Sequence, residues 1–492
     1  MVIATINRMI LYFDKAFRAL SVNVPRVEVA RMALLVHEAM DAKTRAFHTT
    51  KHAFALCEGM TPIQVLAALF HDVVYYQLDA GYSTRIAALL EGVTGIQNET
   101  LRLLQTKHED KATALCADIF GFCPGQVLRL DRGLNEFLSA VVATRLLQRH
   151  LTDAHLLAMV ACIELTIPFR APDASGQSAA NALAQRIQTR SLKHHQALSI
   201  SAHETAAFVK TIMMNALTFA NRDVAGFTEA DPQQCLSITL LLVEESLTSL
   251  TALGVCSLQA YRDALLRMEV FLNSLNPAFV CQSYDGYPDA NTLLAMCAAA
   301  KRNIEFSRDY LGAMLATLAI IEALPLNTAS DCPRAMLFRT TRNFFGEVDP
   351  GEGFGLEPLL HHPTHAELFR VLEKGCLLES SKVLTASPLT AFVYGFLGHS
   401  GTLETLQQAK RMFDGNLSPH AFLKTLDRDM LHTLITACAK TAESRKQALL
   451  ALQQKLHASS ELAINCGTTV IGKAKPGNDP AVQVFLDMKQ NR

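Results

Sequence analysis

Apolar residues along this chain recur at three- and four-residue spacing, the period of a helix that buries one face. In the segment 261–275 (YRDALLRMEVFLNSL), Leu265, Met268, Leu272 and Leu275 fall on one side. The same spacing predicts helices over 62–76, 134–149, 153–167, 203–220, 292–323, 365–378, 403–413 and 419–455. Period-two alternation of β-branched residues is nearly absent, and the single short strand expected is TTVI, at 468–471. Helix punctuation agrees with the periodicity. Thr61-Pro62 and Ser418-Pro419 each set a capping residue before a proline at the first helical position. Thr364 and Glu367 have capping-box spacing ahead of an apolar run. The expected fold class is therefore all-α. Breaks rich in Gly, Pro and Asn suggest three regions, 1–228, 229–345 and 346–492, the last ending in a loose tail after about residue 465.

Composition narrows the classes of function. Half of the 492 residues are hydrophobic and 18% are charged, enough for a sizeable core and too few charges for long disordered segments. Lys+Arg number 45 against 46 Asp+Glu, which leaves no excess of cations to grip extended nucleic acid. The twelve cysteines form no CxxC pair, an argument against a zinc ribbon or a disulfide framework and for a reducing compartment. The first twenty residues are amphipathic and interrupted by Arg8, Asp14, Lys15 and Arg18, unlike the apolar run of a signal peptide. The most apolar stretches, near 236–243 and 310–326, carry or abut Glu244, Glu245 and Glu322 and are too short to span a bilayer. A cytoplasmic protein without a membrane segment is expected, and its near-zero net charge and positive mean hydropathy suggest homo-oligomer formation.

The informative stretch is 47–77, FHTTKHAFALCEGMTPIQVLAALFHDVVYYQ. His48 and His52 lie four apart, on one face if the segment is helical. An apolar helix then starts at Thr61-Pro62 and ends in the dyad His71-Asp72. Setting two polar groups at the end of an apolar helix costs desolvation energy, which is offset when both bind a cation. Imidazole nitrogen with carboxylate oxygen suits Zn, Mn or Fe and, less well, Mg.

This arrangement resembles the HD superfamily of metal-dependent phosphohydrolases, marked by a His, a later His-Asp dyad and a distant Asp on another helix. FHTTKHA is similar to the YHNxxHA element of cyclic-nucleotide phosphodiesterases, and AALFHDVVY looks like the "FHDivY" of a bacterial group of predicted HD phosphohydrolases. The resemblance covers 47–77 well and 140–170 loosely. It implies an HD-domain-like helical bundle followed by a second mainly helical region. It also implies His48 as general acid and His52, His71 and Asp72 as ligands of a divalent ion. Two positions compete for the fourth ligand. Glu164, in ELTIP, is an isolated carboxylate in an apolar helix and is preferred; the alternative is Asp153 in TDAHL, where the matching position can also fall on His155. Against Glu164 stands a buried ion pair with Arg170 or Arg145, and against Asp153 a favourable charge at a helix start. His150 and His155 are expected to face solvent.

The activity implied is hydrolysis of a phosphate ester, with a nucleotide or cyclic nucleotide as the small phosphorylated partner. The alternatives are a catalytically degenerate HD domain, serving as a nucleotide-binding sensor or interaction scaffold, and a di-iron oxygenase drawing on His108. Arg222, in FANRDVAGF, is a weaker candidate for binding a substrate phosphate, with a local Arg–Asp pair as its alternative. GEGFG (351–355) reads as a flexible loop, and HHPTH (361–365) as a loop that caps the next helix.

Overall fold

Between residues 153 and 165 the sequence DAHLLAMVACIEL is apolar on every side, the mark of a helix enclosed by others. In the computed structural model of the chain this helix is the centre of the N-terminal core. The structure describes residues 2–78, 82–107, 109–201, 203–248, 258–327, 365–375, 387–441 and 446–464. They are predominantly helical, and the all-α class is the observed one. The strand expected at 468–471, His108, GEGFG and His361 lie outside them.

The chain divides into two units. The first takes residues 1–231 and 275–303. It holds α1 (Val2–Ala19), α2 (Arg26–Met40), α3 (Thr50–Cys57), α4 (Pro62–Phe70) and α5 (Thr84–Leu89). After these come β1 (Thr94–Gln97), β2 (Thr100–Leu103), α6 (Lys111–Phe120), α7 (Leu134–Leu147), α8 (Asp153–Leu165), α9 (Ala179–Lys193), α10 (His195–Leu198) and α11 (Thr205–Asp223). Helix α8 packs against α4, α6, α7, α9 and α11. Helix α4 is the second core element, with every residue from Ile63 to Phe70 buried, and it touches α1, α3, α7 and α11 as well. Its start is set by Thr61 and Gln64: the Thr61 amide donates to Gln64 Oε1 at 2.9 Å, and the Gln64 amide nitrogen reaches on to the Asn215 carbonyl of α11. Gly133, at the N-cap of α7, has φ +85°, and a Cβ there would lie 2.2 Å from the Ile167 side chain. Both the turn and the close approach require glycine.

The β1–β2 hairpin is absent from the sequence expectations. Asn98 and Glu99 both have positive φ, and Gln97 pairs with Thr100 across them, the geometry of a tight two-residue turn. Four-residue strands with one polar face give little alternation to detect in sequence.

The second unit comprises residues 232–274 and 304–488. Its described helices are Pro232–Thr248, Leu258–Ser274, the later part of Ala290–Asn327, Ala366–Lys374, Pro388–Phe413, Pro419–Leu423, Arg428–Thr441 and Lys446–Ile464. Phe392, Phe422, Leu423, Met430, Leu434 and Leu452 share one of its hydrophobic clusters. The side chain capping Ala366–Lys374 is His365, whose Nδ1 accepts from the Leu368 amide at 3.3 Å. Thr364, expected in that role, lies outside the described residues. Ser418 caps the next expected start, accepting from the Ala421 amide at 3.2 Å.

Candidate metal centre

Three chain segments bring nitrogen and oxygen acceptors together in the first unit. Helix α3 supplies His52, the end of α4 supplies His71 and Asp72, and the last residue of α11 supplies Asp223. His71 Nε2 lies 2.8 Å from Asp72 Oδ2 and 3.7 Å from Asp223 Oδ1. His52 Nε2 lies 3.1 Å from Asp223 Oδ1 and 3.8 Å from Asp72 Oδ2. The ligand atoms of His52, His71 and Asp72 all fall within 4.8 Å of one another. The His71 side chain is 2% exposed and those of His52, Asp72 and Asp223 are 11%, 10% and 16% exposed.

The tautomer of His71 is set by its other nitrogen. Nδ1 stands 3.0 Å from the Ala68 carbonyl, an acceptor only, so Nδ1 carries a proton. That leaves the Nε2 lone pair facing two carboxylates. Although 2.8 Å from Asp72, Nε2 is buried without a hydrogen-bond partner. A second proton on His71 is one remedy for this crowding, and a cation shared by all four side chains is the other. Burial by itself would lower the His71 pKa, but the Asp72 carboxylate, joined by Asp223, outweighs it and raises the value to about 9. For Asp72, burial would raise the pKa, while His71, His48 and His52 hold the carboxyl well below the usual carboxylate range. Two imidazoles and two carboxylates, one nitrogen orphaned among them, form a donor set that fits a divalent transition metal.

Surrounding residues fix this geometry. Arg45, buried, donates to the Asp72 carbonyl at 2.6 Å and to the His48 carbonyl at 3.4 Å. His48 lies just before α3 rather than on it, its ring 4.3 Å from that of Tyr75, and it is close enough to lower the Asp72 pKa. The 73–77 segment is tied to α7: the Val74 amide donates to Ser139 Oγ at 3.0 Å and the Tyr76 amide to Asn135 Oδ1 at 3.0 Å. At the other side Asn221 holds the end of α11, donating to the Gln282 carbonyl at 2.9 Å and accepting from the Gln282 amide at 2.8 Å.

The carboxylate that stands beside the two histidines is Asp223, not Glu164 or Asp153 as expected. Glu164 is 1% exposed and bound by two guanidiniums, Arg170 at 2.7 Å and Arg186 at 2.6 Å, so its charge is already matched. Arg145, the other partner considered for it, pairs with Asp110 instead. Asp153 is exposed at the first turn of α8, at the opposite end of that helix from Glu164. Arg222 is exposed beside Asp223. His150 does not face solvent: its side chain is 15% exposed and sits 2.7 Å from Glu28. His155 is partly buried, and burial lowers its pKa. Reasoning from sequence missed Arg45, Asn135, Ser139 and the place of Asp223 beside the two histidines. The last had a signal, since Asp223 ends an apolar helix as His71-Asp72 does.

Comparison of the chain with protein-family models, curated proteins and solved structures gives no match. No described helix is long and apolar enough to cross a membrane, and the eight cysteines among the described residues are all free.

Proposed function

We propose that the first unit is a metal-dependent phosphohydrolase acting on a phosphate ester, with His52, His71, Asp72 and Asp223 holding a divalent cation. The observation that carries this reading is the meeting of four acceptor side chains from three segments, with His71 Nε2 left unpartnered in their midst. Keeping such a group together without a cation costs charge repulsion and desolvation. The order of the residues, a His, a later His-Asp dyad and a distant Asp on another helix, is that of the HD superfamily. A nucleotide or cyclic nucleotide is the substrate class favoured by that resemblance.

A bound divalent ion would supply a water acidified towards neutral pH and positive charge for the phosphoryl oxygens. The chain's own residues have separate tasks. His48, its ring tilted against that of Tyr75 and within electrostatic reach of Asp72, is the proton donor for the leaving oxygen. The Ala68 carbonyl holds the His71 ring in the tautomer that exposes Nε2. Arg45 fixes the backbone on both sides of the site, at His48 and at Asp72.

Chelator-stripped protein reloaded with Mn, Zn or Fe tests this with p-nitrophenyl phosphate, its bis ester and a panel of nucleotides. Metal-dependent turnover that is lost in His71→Ala is expected. Tight metal binding with ligand-dependent thermal stabilisation but no turnover would replace the hydrolase by a binding domain.

A further inference from the structure

In the second unit, the helix Pro388–Phe413 is two helices joined at a glycine. Gly398 has φ +66° and ψ −176°, a conformation open essentially to glycine alone, and the helical path starts again at His399. A restart leaves the first-turn amides, those of His399, Ser400 and Gly401, without a carbonyl in helical register one turn back. These three residues line a cleft of about 780 Å³, which Thr425, Leu426 and Asp427 line as well. Two threonine hydroxyls here are spent within the chain: Thr402 Oγ1 donates to the Gly398 carbonyl and Thr425 Oγ1 to the Phe422 carbonyl, both at 2.7 Å. Thr405, which also lines the cleft, differs. It is 7% exposed, its hydroxyl has no hydrogen-bond partner among the described residues, and that oxygen is not sealed in the core. A threonine inside a helix commonly donates to the carbonyl four residues back, as Thr402 does; Thr405 leaves that bond to Gly401 unmade. Gln408 Oε1 accepts from Arg411 at 2.9 Å, so its amide N–H groups are free donors at the same cleft.

We propose that this cleft binds an uncharged ligand through the vicinal hydroxyls of a sugar ring, supplied by a free saccharide or by the ribose of a nucleoside. The charges around it decide against ionic ligands. Glu404 and Asp427 line the cleft, with no Lys or Arg among its described lining residues, so a phosphate would meet negative charge. His399 stands 3.8 Å from Asp309, which answers the charge it carries when protonated. An ammonium group meets the opposite difficulty, because the start of a helix and the Gln408 amide turn the positive ends of their dipoles towards it. A sugar hydroxyl satisfies both sets of groups. It gives its proton to Glu404 or Asp427, and its oxygen takes one from Thr405, Gln408 or a first-turn amide. Carboxylates hold ribose hydroxyls in this way in dinucleotide sites. Phe396, Leu397 and Leu426 supply an apolar patch for the C–H face of the ring, and the volume is that of a small-molecule site. The residues all belong to the second unit, so this inference is independent of the metal centre.

Saturation-transfer NMR on the full-length protein tests this with D-glucose, D-galactose, maltose, adenosine and uridine, beside 2′,3′-dideoxyadenosine, inorganic phosphate and spermidine. Saturable binding of the saccharides or of the nucleosides is expected, with none of phosphate or spermidine. A saccharide response assigns a free sugar; an adenosine response that is lost in the dideoxy analogue assigns the ribose. Thr405→Val should weaken the bound probe by about 3- to 10-fold and Glu404→Gln by about 10-fold or more. Thr405→Val gives up no hydrogen bond of the unliganded protein, so it should unfold on heating at the wild-type temperature or above, which separates lost binding from lost folding. The proposal is overturned if no sugar-bearing probe binds at concentrations up to about 10 mM. It is equally overturned if phosphate or spermidine binds in their place, if the dideoxy analogue binds as well as adenosine while the saccharides do not bind, or if affinity is unchanged in either variant.

Discussion

Glu164 and Asp223 are carboxylates of one protein with opposite fates. Glu164 sits in the core between Arg170 and Arg186, and its charge is spent on holding α8 to α9 and to the loop after α8. Asp223 has two imidazoles against it. Substitution should separate the roles. Glu164→Gln leaves two guanidiniums without their counter-charge and is expected to cost about 3–5 kcal/mol in chemical denaturation while metal content stays at the wild-type level. Asp223→Asn should lose most of the metal and change stability little once the metal is removed. Sequence alone favours Glu164 because a lone carboxylate in an apolar helix needs a partner. The need is real, but an arginine six residues on and another on α9 supply that partner, and folding distance of this kind has no mark in the sequence.

His71 also carries a pH dependence at this scale. In the metal-free protein its pKa is raised from the ordinary 6.5 to about 9. A raised value means that the protonated form contributes stability that is full below about pH 6.5 and is lost as pH rises through about 9. A metal must displace that proton, so its affinity has the opposite slope. Isothermal titration across this window should show affinity rising about tenfold per pH unit, with close to one proton released per ion. Affinity that is flat across the window would mean that His71 is not displaced and not a ligand.

Among the elements, α4 and α7 decide where the dyad points. Periodicity reveals both helices, and Thr61-Pro62 marks the start of α4, so the scaffold of the site is legible in the sequence. The segment after Asp72 is not: the apolar period predicts helix through 76, but α4 ends at Phe70, and Val74 and Tyr76 are held instead by Ser139 and Asn135, buried polar residues of α7. Ser139 is fully buried, and Ser139→Ala would strand the Val74 amide. A loss of about 1–3 kcal/mol in denaturant unfolding is expected. A change below the error of that measurement would mean that the Val74 amide finds another acceptor. The β1–β2 hairpin escapes a sequence reading for a related reason, since its signal is a two-residue turn and not a run of apolar positions.

For the whole molecule, chain order and spatial grouping diverge. A break near 225–235 is visible from the Gly- and Pro-containing run there, and the first unit's leading segment ends at Asp231. The return of residues 275–303 to that unit is not visible, because no local pattern encodes a long-range docking. It matters for the site, since Gln282 in that segment grips Asn221, two residues before Asp223. Asn221→Ala in the full chain should weaken metal binding by about 10–100-fold, the usual effect of removing a group that orients a ligand. Equal affinity in the variant and the wild type would show that the segment plays no part in placing Asp223.

The central claim is that His52, His71, Asp72 and Asp223 make one metal centre. The most direct measurement is the metal content of the purified full-length protein by elemental analysis, beside the His71→Ala/Asp72→Ala double variant. The account predicts about one or more divalent transition ions per wild-type chain and a near-complete loss in the variant. A wild type that holds no metal after loading with Mn, Zn or Fe, or a variant that keeps it, would contradict the account.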